Sequence, residues 1–131
     1  MKTLFTRSED FYLHFPRFFS EEDIGDSYGN VLTKVNLSDG KLATDDVVLL
    51  CVEKLGLPTK DLCGDKMEAY EYFSNSLMDS PLESLDVVSL ISMLKNAGYI
   101  GAKIKDVDAP VSWVIFDAFN VEIIEQTNKE M

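Results

Sequence analysis

Polar and apolar residues alternate most regularly over Asn30–Leu37 (NVLTKVNL), with Val31, Thr33, Val35 and Leu37 on one face and Lys34 and Asn36 on the other. A period of two predicts a half-buried β-strand, and Ser38-Asp39-Gly40 supplies the turn chemistry that ends it. Met1–Thr6 (MKTLFT) and Pro16–Phe19 (PRFF) are shorter β-compatible runs. The irregular mix of charges and aromatics between them, Arg7–Phe15, reads as a loop. Ser20 with Asp23 three residues on is an acidic form of the N-terminal capping pattern, predicting a helical turn from Glu21 to Tyr28 that stops at Gly29.

The period then changes. Thr44-Asp45-Asp46 is a helix start, with acids at the positive end of the helix dipole. The helix carries Val47, Val48, Leu50, Cys51 and Leu55 and ends at Gly56, before Pro58. Spacings of three and four among Met67, Tyr70, Phe73 and Leu77 predict a second helical stretch over Asp65–Leu77. A third opens at Ser80-Pro81, proline being tolerated at the first helical position, and closes at Gly98. Its expected buried stripe is Leu85, Val88, Leu90 or Ile91, and Leu94. Tyr99–Lys105 and Val111–Asp117, joined by Asp106–Pro110, read as a β-hairpin; Val121–Ile124 reads as one more strand and Glu125–Met131 as a flexible polar tail. Strands, then helices, then strands make an α+β fold rather than an alternating α/β one.

Length places all 131 residues in a single domain, and 46% hydrophobic residues are enough for a core. The 23 acidic and 12 basic residues leave a net charge of −11. That balance argues against nucleic-acid binding, which needs clustered Lys and Arg, and against docking on an anionic membrane. Residues 44–86 hold ten acids and three bases, and so seven of the eleven net negative charges. They form either a solvated helical face or a surface for a basic protein partner, with Asp45, Asp46, Glu68 and Glu71 as the candidate contacts. Apolar runs such as Val47–Val52 are too short to span a bilayer, and charges interrupt residues 1–20, so the cytoplasm is the expected compartment. Cys51 and Cys63, twelve apart, form no CxxC pair and predict two buried free thiols rather than a zinc site; no metal is expected. The single histidine, His14, lies among Phe11, Tyr12 and Phe15 and reads as packing.

Glu83–Leu90 resembles the prosthetic-group serine segment of acyl carrier proteins, but strand-like sequence on both sides does not suit an all-helical carrier. A second resemblance covers nearly the whole chain. Leu94–Lys105 (LKNAGYIGAKIK) followed by Ser112–Asp117 (SWVIFD) and Phe119-Asn120-Val121 resembles the C-terminal half of small ADP-ribosyltransferase domains of phage and mobile-element type, including anti-CRISPR-like members. Arg17–Asp23 (RFFSEED) and Tyr28-Gly29-Asn30-Val31 resemble the second strand and following helix of that family.

The resemblance implies a split β-sheet core with flanking helices and a cleft for NAD. On the first strand it assigns Phe5, with Thr6 beside it, or alternatively Arg7, to gripping the dinucleotide. On the second strand it assigns Phe19 and Ser20 to the nicotinamide pocket. The family's catalytic glutamate falls on Ser112, which cannot supply a negative charge to an oxocarbenium-like transition state; Asp106, Asp108 or Glu122 would have to replace it. Two expectations follow. The chain is an acidic, catalytically degenerate member that binds and inhibits a host or defence protein with a basic surface, or it is an active NAD-dependent transferase modifying a protein. A phage-encoded role in host cytoplasm belongs to the same resemblance.

Overall fold

The computed structural model describes residues 2–23, 29–61, 63–74, 82, 84–105 and 111–129. The fold is α+β. Its strands are β1 (Lys2–Ser8), β2 (Arg17–Phe19), β3 (Val31–Leu37), β4 (Lys41–Ala43), β5 (Tyr99–Ile104), β6 (Ser112–Ile115) and β7 (Val121–Asn128). Its helices are α1 (Asp45–Leu55) and α2 (Ser84–Asn96). The chain divides into two compact units, one made of residues 1–40 with 113–131 and the other of residues 41–112.

The first unit is built on an antiparallel sheet in the order β1-β3-β7. The alternation in β3 is realised in full, with Val31, Thr33, Val35 and Leu37 all buried. Leu4 and Thr6 of β1 lie opposite Val35 and Thr33 and extend the same buried face. β2 pairs antiparallel with β6, setting Phe19 opposite Trp113. Both strands of the expected C-terminal hairpin form as β5 and β6, whereas the link 106–110 lies outside the described residues.

Two expectations in this unit are overturned. Arg7 and Ser8 belong to β1 rather than to a loop. Glu125–Asn128 is strand, not tail: β7 runs to Asn128, which is in register with Val31, and the Lys129 N–H donates to the Asn30 carbonyl at 2.6 Å. Backbone pairing to β3 makes this polar segment a strand, without an apolar pattern of its own. Of the helical turn expected at Glu21–Tyr28, residues 24–28 lie outside the described residues, and Glu21–Asp23 are not helical.

In the second unit α1 forms as its sequence dictates. The Thr44 side chain accepts from the Val47 N–H, Asp45 and Asp46 occupy the first turn, and Gly56 caps the C-terminus at φ 68°. β4 pairs parallel with β5, and α1 packs against α2 and β5. Along α2 the buried stripe is Val87, Leu90 and Leu94. Leu85 and Val88 are exposed, so the apolar face is rotated from the expected one; Val87, Leu90 and Leu94 keep the same three-and-four spacing. Residues 80, 81 and 83, which hold the expected helix start, lie outside the described residues.

The helix expected over Asp65–Leu77 is reduced to a 3-10 turn at Ala69–Tyr72, with residues 75–77 outside the described set. Its first residues are used otherwise. The Asp61 carboxylate accepts from the Cys63 and Asp65 N–H groups, and the Met67 N–H donates to the Thr59 carbonyl at 2.9 Å. These bonds draw Thr59 and Asp61 against Asp65 and Met67 and consume the groups a helix would need. Met67 and Phe73 are still buried. Both cysteines are free; Cys51 is buried, while the same turn leaves Cys63 exposed, contrary to expectation. No helix among the described residues is long and apolar enough to cross a membrane.

Candidate functional site

β1 and β2 bring most of the expected pocket residues together. Phe5 and Ser20 exchange two backbone hydrogen bonds, Phe5 N–H to Ser20 carbonyl at 2.8 Å and Ser20 N–H to Phe5 carbonyl at 2.9 Å. Strand alternation then separates the side chains. Phe5 and Arg7 share one face of the sheet, and Thr6 joins the buried face with Leu4. Phe19 is buried and stacks at a tilt against Phe15, 6.0 Å between ring centroids. The Ser20 hydroxyl donates to the Glu22 carbonyl at 2.5 Å.

Arg7 has the side-chain environment of a structural residue. Its guanidinium makes a two-pronged contact with Asp23, Nε to Oδ1 at 2.7 Å and Nη2 to Oδ2 at 2.5 Å. A third donor reaches the Gly29 carbonyl at 3.4 Å. The Arg7 side chain is only 5% exposed and that of Asp23 36%. Planar guanidinium and carboxylate match in this fork geometry, which holds the residue-23 segment against β1.

A second arginine, Arg17, carries no signal in the sequence that separates it from an ordinary strand charge. It crosses β1: its Nε donates to the Thr6 hydroxyl at 3.0 Å and its Nη2 to the Arg7 carbonyl at 2.9 Å. The Thr6 hydroxyl in turn donates to the Phe18 carbonyl at 3.0 Å. Burial pushes the Arg17 guanidinium below its ordinary pKa, and the nearby Asp10 carboxylate opposes that shift. Lys2 is engaged as well, with Glu21 at 3.0 Å and its ammonium 5.7 Å from the centre of the Trp113 ring.

Ser112, at the position of the family's glutamate, is the first residue of β6 and is buried. Of the acids that would have to replace the glutamate, Glu122 is an exposed residue of β7, and Asp106 and Asp108 lie outside the described residues. Among the described residues no group of three or more His, Cys, Asp or Glu side chains is placed to hold a metal ion.

The acidic candidates belong to the second unit. A cleft of about 290 Å³ is lined by Asp45, Lys66, Glu68 and Lys105 above Leu49, Met67 and Ala69. The Asp45 carboxylate faces the Lys105 N–H at 3.3 and 3.4 Å, and the Glu71 carboxylate accepts from the Glu68 N–H at 2.9 Å in a reciprocal capping box. Asp46 and Glu68 are exposed. Two lysines on the same cleft make its charge mixed rather than uniformly acidic. Comparison with protein-family models, curated proteins and solved structures gives no match to this chain.

Proposed function

We propose that the protein acts by binding a protein partner with a basic surface, as a catalytically degenerate relative of small ADP-ribosyltransferases, and that it performs no group transfer itself. The observation that carries this reading is the commitment of Arg7 to Asp23. The resemblance gives Arg7, as the alternative to Phe5, to the dinucleotide, yet a pyrophosphate could take this guanidinium only by displacing a carboxylate that already fills both prongs of the fork. The serine at the glutamate position supports the same reading, since a hydroxyl adds no charge for an oxocarbenium ion. Exposed Asp46 and Glu68, in the segment that concentrates the negative charge, are the partner contacts of this proposal. An inhibitor directed by a phage against a host defence protein is a role of this kind.

An active NAD-dependent transferase is the second reading, supported by the backbone pairing of Phe5 with Ser20, next in sequence to Phe19. Calorimetric titration of the wild-type protein with NAD to millimolar concentration separates the two, with binding expected to produce no saturable heat. Saturable NAD binding would overturn the proposal. In parallel, a small basic protein serves as probe in a binding assay at low salt. The double variant Asp46→Lys/Glu68→Lys is expected to weaken that binding about tenfold, as reversal of rim charges does.

A further inference from the structure

The far edge of the first unit's sheet goes beyond the reading above, since none of its residues belongs to the unit that carries Asp46 and Glu68. Among the described residues β7 pairs with β3 alone, so along Val121–Thr127 every second backbone N–H and C=O points away from that neighbour. Side chains are open on both faces as well: Glu122, Ile123, Ile124 and Glu125 are all exposed, the two isoleucines by 49% and 47%. The loop of Phe11 and Tyr12, 53% and 70% exposed, meets β7 at Gln126, whose amide donates to the Phe11 carbonyl at 2.7 Å and to the Thr33 hydroxyl at 3.2 Å. Aromatic and branched side chains beside an open strand edge are the composition of a binding surface rather than of a solvated one.

A bulge organises this edge. Lys34 is opposite Glu125 and Val35 opposite Ile123, so Ile124 is the extra residue on β7. The bulge brings Glu122 and Glu125, three apart, onto one face, opposite Asn36 and Lys34 of β3. Lys34 offsets part of that charge. The bulge also limits continuous pairing to a short segment, which disfavours open-ended stacking of strands.

We propose that β7 is a docking edge for a short extended segment of another protein, one that alternates Lys or Arg with branched apolar residues and adds to the sheet as a fourth strand beside β7. Main-chain hydrogen bonds hold it, Glu122 and Glu125 meet its basic side chains, and Ile123, Ile124, Phe11 and Tyr12 receive the apolar ones. A second copy of this chain fits badly. Antiparallel self-pairing centred on Ile123–Ile124 sets Glu122 opposite Glu125 of the other copy, and each chain brings a net charge of −11.

The test uses the full chain labelled with nitrogen-15 and a capped hexapeptide of alternating lysine and valine. Saturable shifts confined to the amides of Val121–Asn128 and the Phe11–Tyr12 loop are expected. Two further peptides, N-methylated at every second residue in either phase, should divide: one phase loses its edge-facing donors and its binding, and the other keeps both. Glu122→Lys/Glu125→Lys should weaken the parent peptide about tenfold or more while leaving the unbound spectrum of the fold in place. No saturable shift, shifts centred elsewhere, equal binding of both methylated phases, or a concentration-dependent dimer through β7 would each overturn the proposal. Failure of the Asp46 and Glu68 charge reversal would overturn the earlier reading and leave this one standing.

Discussion

Removing the Asp23 carboxylate takes the two-pronged partner from a guanidinium that the fold has taken out of water. Asp23→Ala leaves the Arg7 charge on a side chain 5% exposed. Breaking a fully buried pair costs about 3–5 kcal/mol, and breaking an exposed one about 0–1 kcal/mol. With Asp23 itself 36% exposed, water screens one side of the pair, and the expected cost lies between these limits at about 2 kcal/mol. For a urea slope of about 2 kcal/mol per molar, the unfolding midpoint falls by about 1 M. Trp113 belongs to the same unit and is buried, so its fluorescence reports the transition.

The double variant Arg7→Met/Asp23→Ala refines the argument. It leaves no stranded charge and should be more stable than Asp23→Ala alone, although it has lost more hydrogen bonds. A midpoint for Asp23→Ala within about 0.25 M of wild type, or a double variant less stable than the single one, would refute the reasoning and reduce the pair to a surface contact. The same energetics bear on function. Loss of any activity in Arg7→Ala says nothing about dinucleotide chemistry unless that variant keeps the wild-type midpoint.

Other expectations are quicker to test. The Tyr72 hydroxyl donates to the Pro58 carbonyl at 2.7 Å, and burial, then the Glu71 charge, raises its pKa above the ordinary phenol value. The neutral phenol is the favoured folded form, so its contribution is fully present below about pH 10 and is lost as pH rises through the folded pKa. Titration at 295 nm should show a late phenol that is absent in Tyr72→Phe, and that variant should be less stable by about 1 kcal/mol. Thr44→Ala removes the α1 cap and should cost about 1 kcal/mol, read from the urea midpoint. Gly29→Ala should cost more than either, because at φ 126° its Cβ would collide with the Ser8 carbonyl oxygen; a midpoint near wild type would contradict that geometry. A thiol reagent should modify Cys63 in the folded protein and Cys51 only on unfolding.

Local signals were legible where a residue's environment is decided by its sequence neighbours. The β3 alternation and the Thr44 and Gly56 caps of α1 are of that kind. Elsewhere the deciding partner is remote. β4 is three residues long, too short to show a period, and exists through parallel pairing with β5. Glu125–Asn128 is polar throughout and becomes strand by pairing with β3, some ninety residues away in sequence. Met67, Tyr70 and Phe73 have helical spacing, but Asp61 and Thr59 capture the backbone ahead of them, and Met67 and Phe73 are buried without an α-helix. At the expected site Phe5 and Ser20 exchange backbone hydrogen bonds. The partner of Arg7 was not legible, because an ion pair sixteen residues apart leaves no mark in the pattern of either segment.

What separates a binding surface from a packed one in the first unit is where its hydrogen-bond donors end. At the β1 side the Arg7 donors end on Asp23 and Gly29, the Arg17 donors on Thr6 and the Arg7 carbonyl, the Thr6 hydroxyl on Phe18 and the Ser20 hydroxyl on Glu22. A polar ligand there replaces existing bonds one for one and gains little beyond the exchange. At the β7 side the outward backbone groups have no strand beside them among the described residues, and the neighbouring side chains are apolar and exposed. A strand-forming ligand there gains new bonds and buries new area. The two edges of one sheet therefore predict opposite responses to two probes: an alternating cationic peptide binds and NAD does not. A protein that bound NAD and ignored the peptide would invert this assignment, and with it the division between the packed edge and the open one.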